Sequence, residues 1–325
     1  MRPLLFACTL LALGCRKAPD FPAAPTDVAD LDRYLEDVRE RVQTPGLAVA
    51  VVHAQELVYS GGVGVANVET QLDVEADTTV FLIASISKTV TSVAAMQLVE
   101  DGALFLDDDV DVVLPFELSG DAVGPITTRN LLAHTSGLRD AHYNRISDMF
   151  YTYDGTDPSV SLAEFSQGML AEDGAWIDRS TFSVHAGGDS YDYSNLGFAL
   201  LGHVVEVRTG VPFQDHTRAR IFEPLGMTRT AWHLSDLGDQ DLAMPYHSPD
   251  DPVGHFSFAD YPNGSLRTTV VDLSRFLRAI IAKGELDGVR ILRESTVDQM
   301  MQVPFADVVP DQAHGWDVSQ PTGGV

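Results

Sequence analysis

The sequence predicts a mixed fold, an antiparallel hairpin joined to a set of buried and amphipathic helices. Three stretches predict it. Residues 47–53 (LAVAVVH) and 56–60 are apolar runs separated by Ala54-Gln55, the pattern of two strands in a hairpin. Residues 81–102 (FLIASISKTVTSVAAMQLVEDG) read as an apolar approach segment followed by a buried helix stopped at Gly102. Residues 270–282 place apolar groups at helical spacing behind Thr269 or Asp272 near the cap.

At 325 residues and 45% hydrophobic, the chain is long enough for one large core or two smaller ones. It has 21 basic against 47 acidic residues, a net charge of -26, and no lysine-arginine cluster. That balance excludes a nucleic-acid partner, which needs a basic face, and repels anions in general. Residues 1–15 carry one basic residue and a short apolar run ending at Gly14-Cys15, a secretory signal whose LALGC ending is similar to a bacterial lipoprotein signal. The expectation is an exported, periplasmic or envelope-anchored protein, with Cys15 as the lipidated residue and the only membrane attachment. Cys8 and Cys15 both lie in this segment, so the mature body has neither disulfide nor thiol nucleophile. Proline-rich residues 16–28 read as a tether, and the folded domain is expected over residues 29–325.

Residues 31–42 alternate apolar and charged groups at helical spacing and predict an amphipathic helix ended by Pro45-Gly46. Gly61, Gly62 and Gly64 resemble a nucleotide loop only superficially, because Asn67 stands at the last glycine position and no helix follows; a sheet segment with close backbone contacts is predicted. Asp107, Asp109 and Asp111 are spaced like a calcium loop, but Val112 and Leu118 occupy its two anchors, which leaves a solvated acidic turn. Residues 126–132 predict a short helix ending at His134-Thr-Ser-Gly137, with His134 a packing residue. Residues 139–190 are loop-rich apart from a helical patch at 162–170, the kind of surface that sets substrate choice. An amphipathic helix is expected from Asn195 to Gly210, a helix end and turn at 221–230, a second C-terminal helix at 294–301, and a strand beginning at His314.

The chemistry concentrates at Ser85 and Lys88. Residues three apart on a helix are neighbours, so Ser85 Oγ and Lys88 Nζ are expected to meet. An adjacent amine takes the proton of a serine hydroxyl if burial lowers the lysine pKa. No G-x-S-x-G elbow competes for the nucleophile role, and the ten histidines show no H-E-x-x-H or paired zinc spacing.

The blocks FLIASISK, ITTRNLLAHTSGL, YDYSNLGFALLG, IFEPLGMTRT and NGSLRTTVVDLSRF, in this order between Pro45 and Trp316, resemble the serine β-lactamase-related family. This is the group of penicillin-recognising hydrolases that includes class C β-lactamases, D-peptidases and esterases. The resemblance implies a β-lactamase/transpeptidase-like architecture, α/β plus all-α, with an antiparallel sheet flanked by helices. In it an α/β lobe from residues 29–84 and 265–325 brackets an inserted helical lobe at 85–264. It implies that Ser85 is the acylated nucleophile, that Lys88 and Tyr193 share general acid-base work, and that Asn195 orients Lys88 or the substrate amide. It also implies an oxyanion donor at the backbone N–H of Ser85, a small ester, amide or peptide substrate, and no metal or organic cofactor. The family's third element, K-T-G or H-x-G, usually follows a G-W strand; here Gly315-Trp316 is followed by Pro321-Thr-Gly-Gly324, with Pro in place of Lys or His. The expectation is therefore a chain truncated before that element, with an unprotected sheet edge. A second reading follows from it, a binding lipoprotein that keeps the fold without turnover.

Overall fold

The structure is a computed structural model that describes residues 27–319. The expectations for the signal segment, Cys15, most of the tether and Pro321–Val325 lie outside those residues. The hairpin forms as predicted, Gly46–His53 pairing antiparallel with Glu56–Asn67. Ala54 and Gln55 both take positive φ (49° and 71°), as a tight two-residue hairpin turn requires. The second strand runs on through the glycine cluster to pair with Leu72–Asp73. Gly62 is required there because a Cβ would stand 2.2 Å from the Val74 carbonyl oxygen.

Two helices cover this sheet, the predicted Leu31–Val42 and Val270–Ile281. Thr269 caps the latter by accepting from the Asp272 N–H at 3.1 Å. The rest of the core gathers around two long helices, Ser87–Glu100 and Asn195–Thr209, which pack against each other. The second was expected to be amphipathic, and the structure corrects this. Every residue from Leu196 to Val205 is buried, including His203, whose Nδ1 lies 3.3 Å from Glu206. A helix buried all round needs no polar face.

The helix predicted at residues 162–170 spans Leu162–Leu170 and starts with a Ser161/Glu164 capping box. Asp107 and Asp111 of the acidic run are tied to the protein. Asp107 pairs with Arg129 at 2.7 and 2.8 Å, and Asp111 accepts from the Leu118 N–H. The strand expected at His314 does not form among the described residues, where only an isolated bridge, Gln312↔Asp317, is present. Gly315 instead packs on the Ser87–Glu100 helix and donates its N–H to the Leu132 carbonyl at 2.7 Å. Within the described residues no helix is long and apolar enough to cross a membrane.

Candidate active site

Ser85 sits where a strand turns sharply into a helix. Phe81–Leu82 pairs with Arg267–Thr268, and Ile83 donates to the Leu266 carbonyl at 3.0 Å, so the approach to the serine is clamped. Ala84 then takes φ 47°, an uncommon value for a residue with a side chain. The next turn, Ala84–Ile86, is 3₁₀, and the α-helix begins only at Ser87. The sequence reading placed Ser85 within the helix; it stands just ahead of it. This turn leaves Ser85 exposed, while Ser87 and Lys88 are buried.

Lys88 is 3% exposed, and its Nζ reaches three oxygens. Ser85 Oγ lies at 3.2 Å, Asn195 Oδ1 at 2.8 Å and the Asn263 carbonyl at 2.6 Å. The Tyr193 hydroxyl donates to Ser85 Oγ at 2.7 Å, and Nζ stands 4.9 Å from the centre of the Tyr193 ring. All four sequence-predicted residues are thus brought to one point, and Asn195 faces Lys88.

Two supports hold Tyr193 and Asn195. Asp140 accepts from the backbone N–H of Asn195 (2.8 Å) and Leu196 (3.2 Å), an acid at the positive end of the Asn195–Thr209 helix. Burial raises its pKa, and those N–H donors oppose the rise. Ser194 caps the same helix through the Gly197 N–H. His134 packs behind, its ring 4.4 Å from that of Tyr193, with Nδ1 accepting from the Ser194 N–H at 3.1 Å. Burial first, and the Lys88 charge second, lower its pKa to about 3. It is therefore a neutral packing residue, as the sequence suggested.

Sequence reasoning missed the turn Tyr261–Asn263. The Asn263 carbonyl holds Lys88, the Pro262 carbonyl accepts from Thr91, and Asn263 Nδ2 donates to the buried Asp260. Burial pushes the Asp260 carboxyl up to about 6, and its Oδ1 has no hydrogen-bond partner. The signal available was Asn263-Gly264 itself, a turn-forming pair. The sequence reading also gave no role to Tyr151 and Phe258, which line the same cleft, a space of about 360 Å³ reaching Ser85 and Tyr193. Among the described residues, no group of three or more His, Cys, Asp or Glu side chains is placed to hold a metal.

The family model for beta-lactamase matches residues 31–325. Penicillin-binding protein 4 of Amycolatopsis lactamdurans is 29% identical over 315 residues, 90% of this chain and 76% of that protein. The beta-lactamase of Providencia stuartii is 27% identical over 76% of this chain and 58% of its own length. Among solved structures, the octameric penicillin-binding protein homologue from Pyrococcus abyssi superposes with a TM-score of 0.64 at 27% identity, over 86% of this chain and 62% of that one. The chain thus spans less than two thirds of two of these three relatives. With the family match running through nearly all of the described residues, the chain belongs to the beta-lactamase family of serine hydrolases.

Proposed function

We propose that this chain hydrolyses an ester or amide through an acyl-enzyme on Ser85, with Lys88 and Tyr193 exchanging the proton and Asn195 holding Lys88 in place. One observation carries the reading: Ser85 Oγ lies within hydrogen-bond reach of both the Tyr193 hydroxyl (2.7 Å) and Lys88 Nζ (3.2 Å). In the deprotonated state that accepts the serine proton, the lysine amine has two N–H groups and one lone pair. Asn195 Oδ1 and the Asn263 carbonyl take the two N–H groups, so the lone pair faces Oγ. Ser85 then gives its proton to Nζ while accepting from Tyr193.

The Oγ–C bond forms, and the tetrahedral oxyanion is met by the backbone N–H of Ser85 in the 3₁₀ turn that leads into the helix. The ester C–O or amide C–N bond breaks, and the leaving alcohol or amine takes the proton through Tyr193. Water repeats the sequence on the acyl-enzyme, releasing the acid and returning the proton to Ser85.

Intact-mass analysis after exposure to an activated ester tests this directly. A single adduct on Ser85 is expected, absent in Ser85→Ala. Lys88→Met and Tyr193→Phe should slow acylation by about 10²–10⁴. No adduct with any acyl donor would overturn the reading in favour of a non-catalytic relative. We also propose export and lipidation at Cys15, on the sequence of residues 1–15; Cys15→Ala should then move the protein from the membrane fraction to the soluble one.

A further inference from the structure

One wall of the Ser85 cleft is a ladder of aromatic rings built by two very short strands. Tyr151–Thr152 pairs with Ser257–Phe258, which sets Tyr151 directly opposite Phe258. Their rings lie 4.9 Å apart at 22°. Phe256, just ahead of the Ser257–Phe258 strand, lies 6.2 Å from Tyr151 at 19°, and Tyr153 extends the cluster to the surface, 6.0 Å from Tyr151 at 24°. Tyr151, Phe256 and Phe258 lie within 25° of one another, and Tyr153 at the outer end is tilted 36° from Phe256.

The inner end of the ladder is close to the reacting atoms. Gly264 separates Phe258 from the turn that carries Ser85: a Cβ on it would lie 3.4 Å from Phe258 Cζ and 3.7 Å from the Ala84 carbonyl carbon. The wall is also held from behind. The Arg267 guanidinium donates to the carbonyls of Phe256, Ser265 and Trp232, which fixes the stretch bearing Phe256 and Phe258 to the segment that clamps Ser85. The described residues lining the cleft include one carboxylate, Asp140, and no Arg or His, while Lys88 is buried with its Nζ on Ser85, Asn195 and Asn263.

Rings in a fixed, near-parallel row favour a flat apolar group laid along them, by contact area and by offset stacking. A substrate carboxylate would meet Asp140 and lose its hydration, with the buried Lys88 already held by three protein oxygens. We infer that the cleft selects uncharged substrates carrying an aryl or similarly flat apolar group within a bond or two of the scissile carbonyl, and that Tyr151 and Phe258 are the residues that choose them. This rests on the reading of Ser85 as nucleophile.

The test compares ethyl acetate, ethyl phenylacetate, benzyl acetate, ethyl butyrate and monoethyl succinate by pH-stat, in the native chain and in Tyr151→Ala, Phe258→Ala and Phe258→Leu. At least one aryl ester should exceed ethyl acetate in kcat/KM by about tenfold or more, and monoethyl succinate should fall below ethyl butyrate by a similar factor. The aryl preference should collapse in both alanine variants and be partly kept by Phe258→Leu, whose fold a thermal melt checks. No aryl preference in the native chain, or one that survives all three variants, overturns the inference. Binding of phenylacetamide against acetamide to Ser85→Ala, followed by NMR, separates the two claims. Selective binding of the aryl amide without any acylation of Ser85 would sink the reaction and keep the substrate class. Acylation with no aryl selectivity would do the reverse.

Discussion

At the scale of single residues, two buried titratable groups beside the site pull stability in opposite directions as pH falls. Burial raises the Asp260 pKa from 3.8 to about 6. Its contribution is fully present below pH 3.8, where both states are protonated, and is lost as pH rises through 6. The loss is about 3 kcal/mol. His134 is the mirror case, lowered from 6.5 to about 3. Above pH 6.5 it is neutral folded and unfolded; as pH falls below that, the unfolded chain gains a proton the folded one refuses, and stability drains toward pH 3. Asp260→Asn should therefore raise the melting temperature at pH 8 by several degrees, leave it nearly unchanged at pH 4, and steepen the acid limb. His134→Asn should flatten that limb, and asparagine tolerates the positive φ of 55° at this position. Melting curves from pH 4 to 8 check both. An equal shift at every pH for either variant would mean that packing, not ionisation, governs the position.

Elements come next, and here the sequence was readable in proportion to the length of its signal. The helices at 31–42, 162–170 and 270–281 span enough turns for their periodicity to show, and the sequence narrowed the cap of the last to Thr269 or Asp272. The pair Ser85-Lys88 was legible because its spacing is local, and Tyr193 and Asn195 through the family likeness. Tyr151–Thr152 and Ser257–Phe258 were not legible, since strands of two residues have no period to read and their pairing joins distant parts of the chain. The Tyr261–Asn263 turn is similar: its role comes from a close approach to the Asn195–Thr209 helix. A Cβ on Gly202 would stand 2.4 Å from Pro262 Cγ, and a proline ring has little room to yield. Gly202→Ala should push the turn outward and carry the Asn263 carbonyl away from Lys88. We expect a stability loss of about 1–3 kcal/mol in denaturant unfolding. A fall in kcat should accompany it, because the lysine loses one of its two fixed N–H acceptors. A variant that loses stability with kcat intact would show that this carbonyl does not position Lys88.

For the whole molecule, topology and charge act together. Among the described residues the strand Gly46–His53 pairs with Glu56–Asn67 alone. The net charge of -26, without a basic cluster in the sequence, gives the molecule a negative long-range field. Such a field acts on substrates before contact and weakens with added salt, whereas the aromatic wall acts only at contact. The Debye length shrinks from about 30 Å at 0.01 M salt to about 3 Å at 1 M. The kcat/KM for monoethyl succinate should therefore rise several-fold from 10 mM to 500 mM NaCl, while that for ethyl butyrate stays level. The part of the discrimination that survives high salt is the cleft's own, from Asp140 and the rings. Initial rates across the salt series separate the two contributions, and an anionic ester whose rate ignores salt would remove the long-range field from the account of substrate choice.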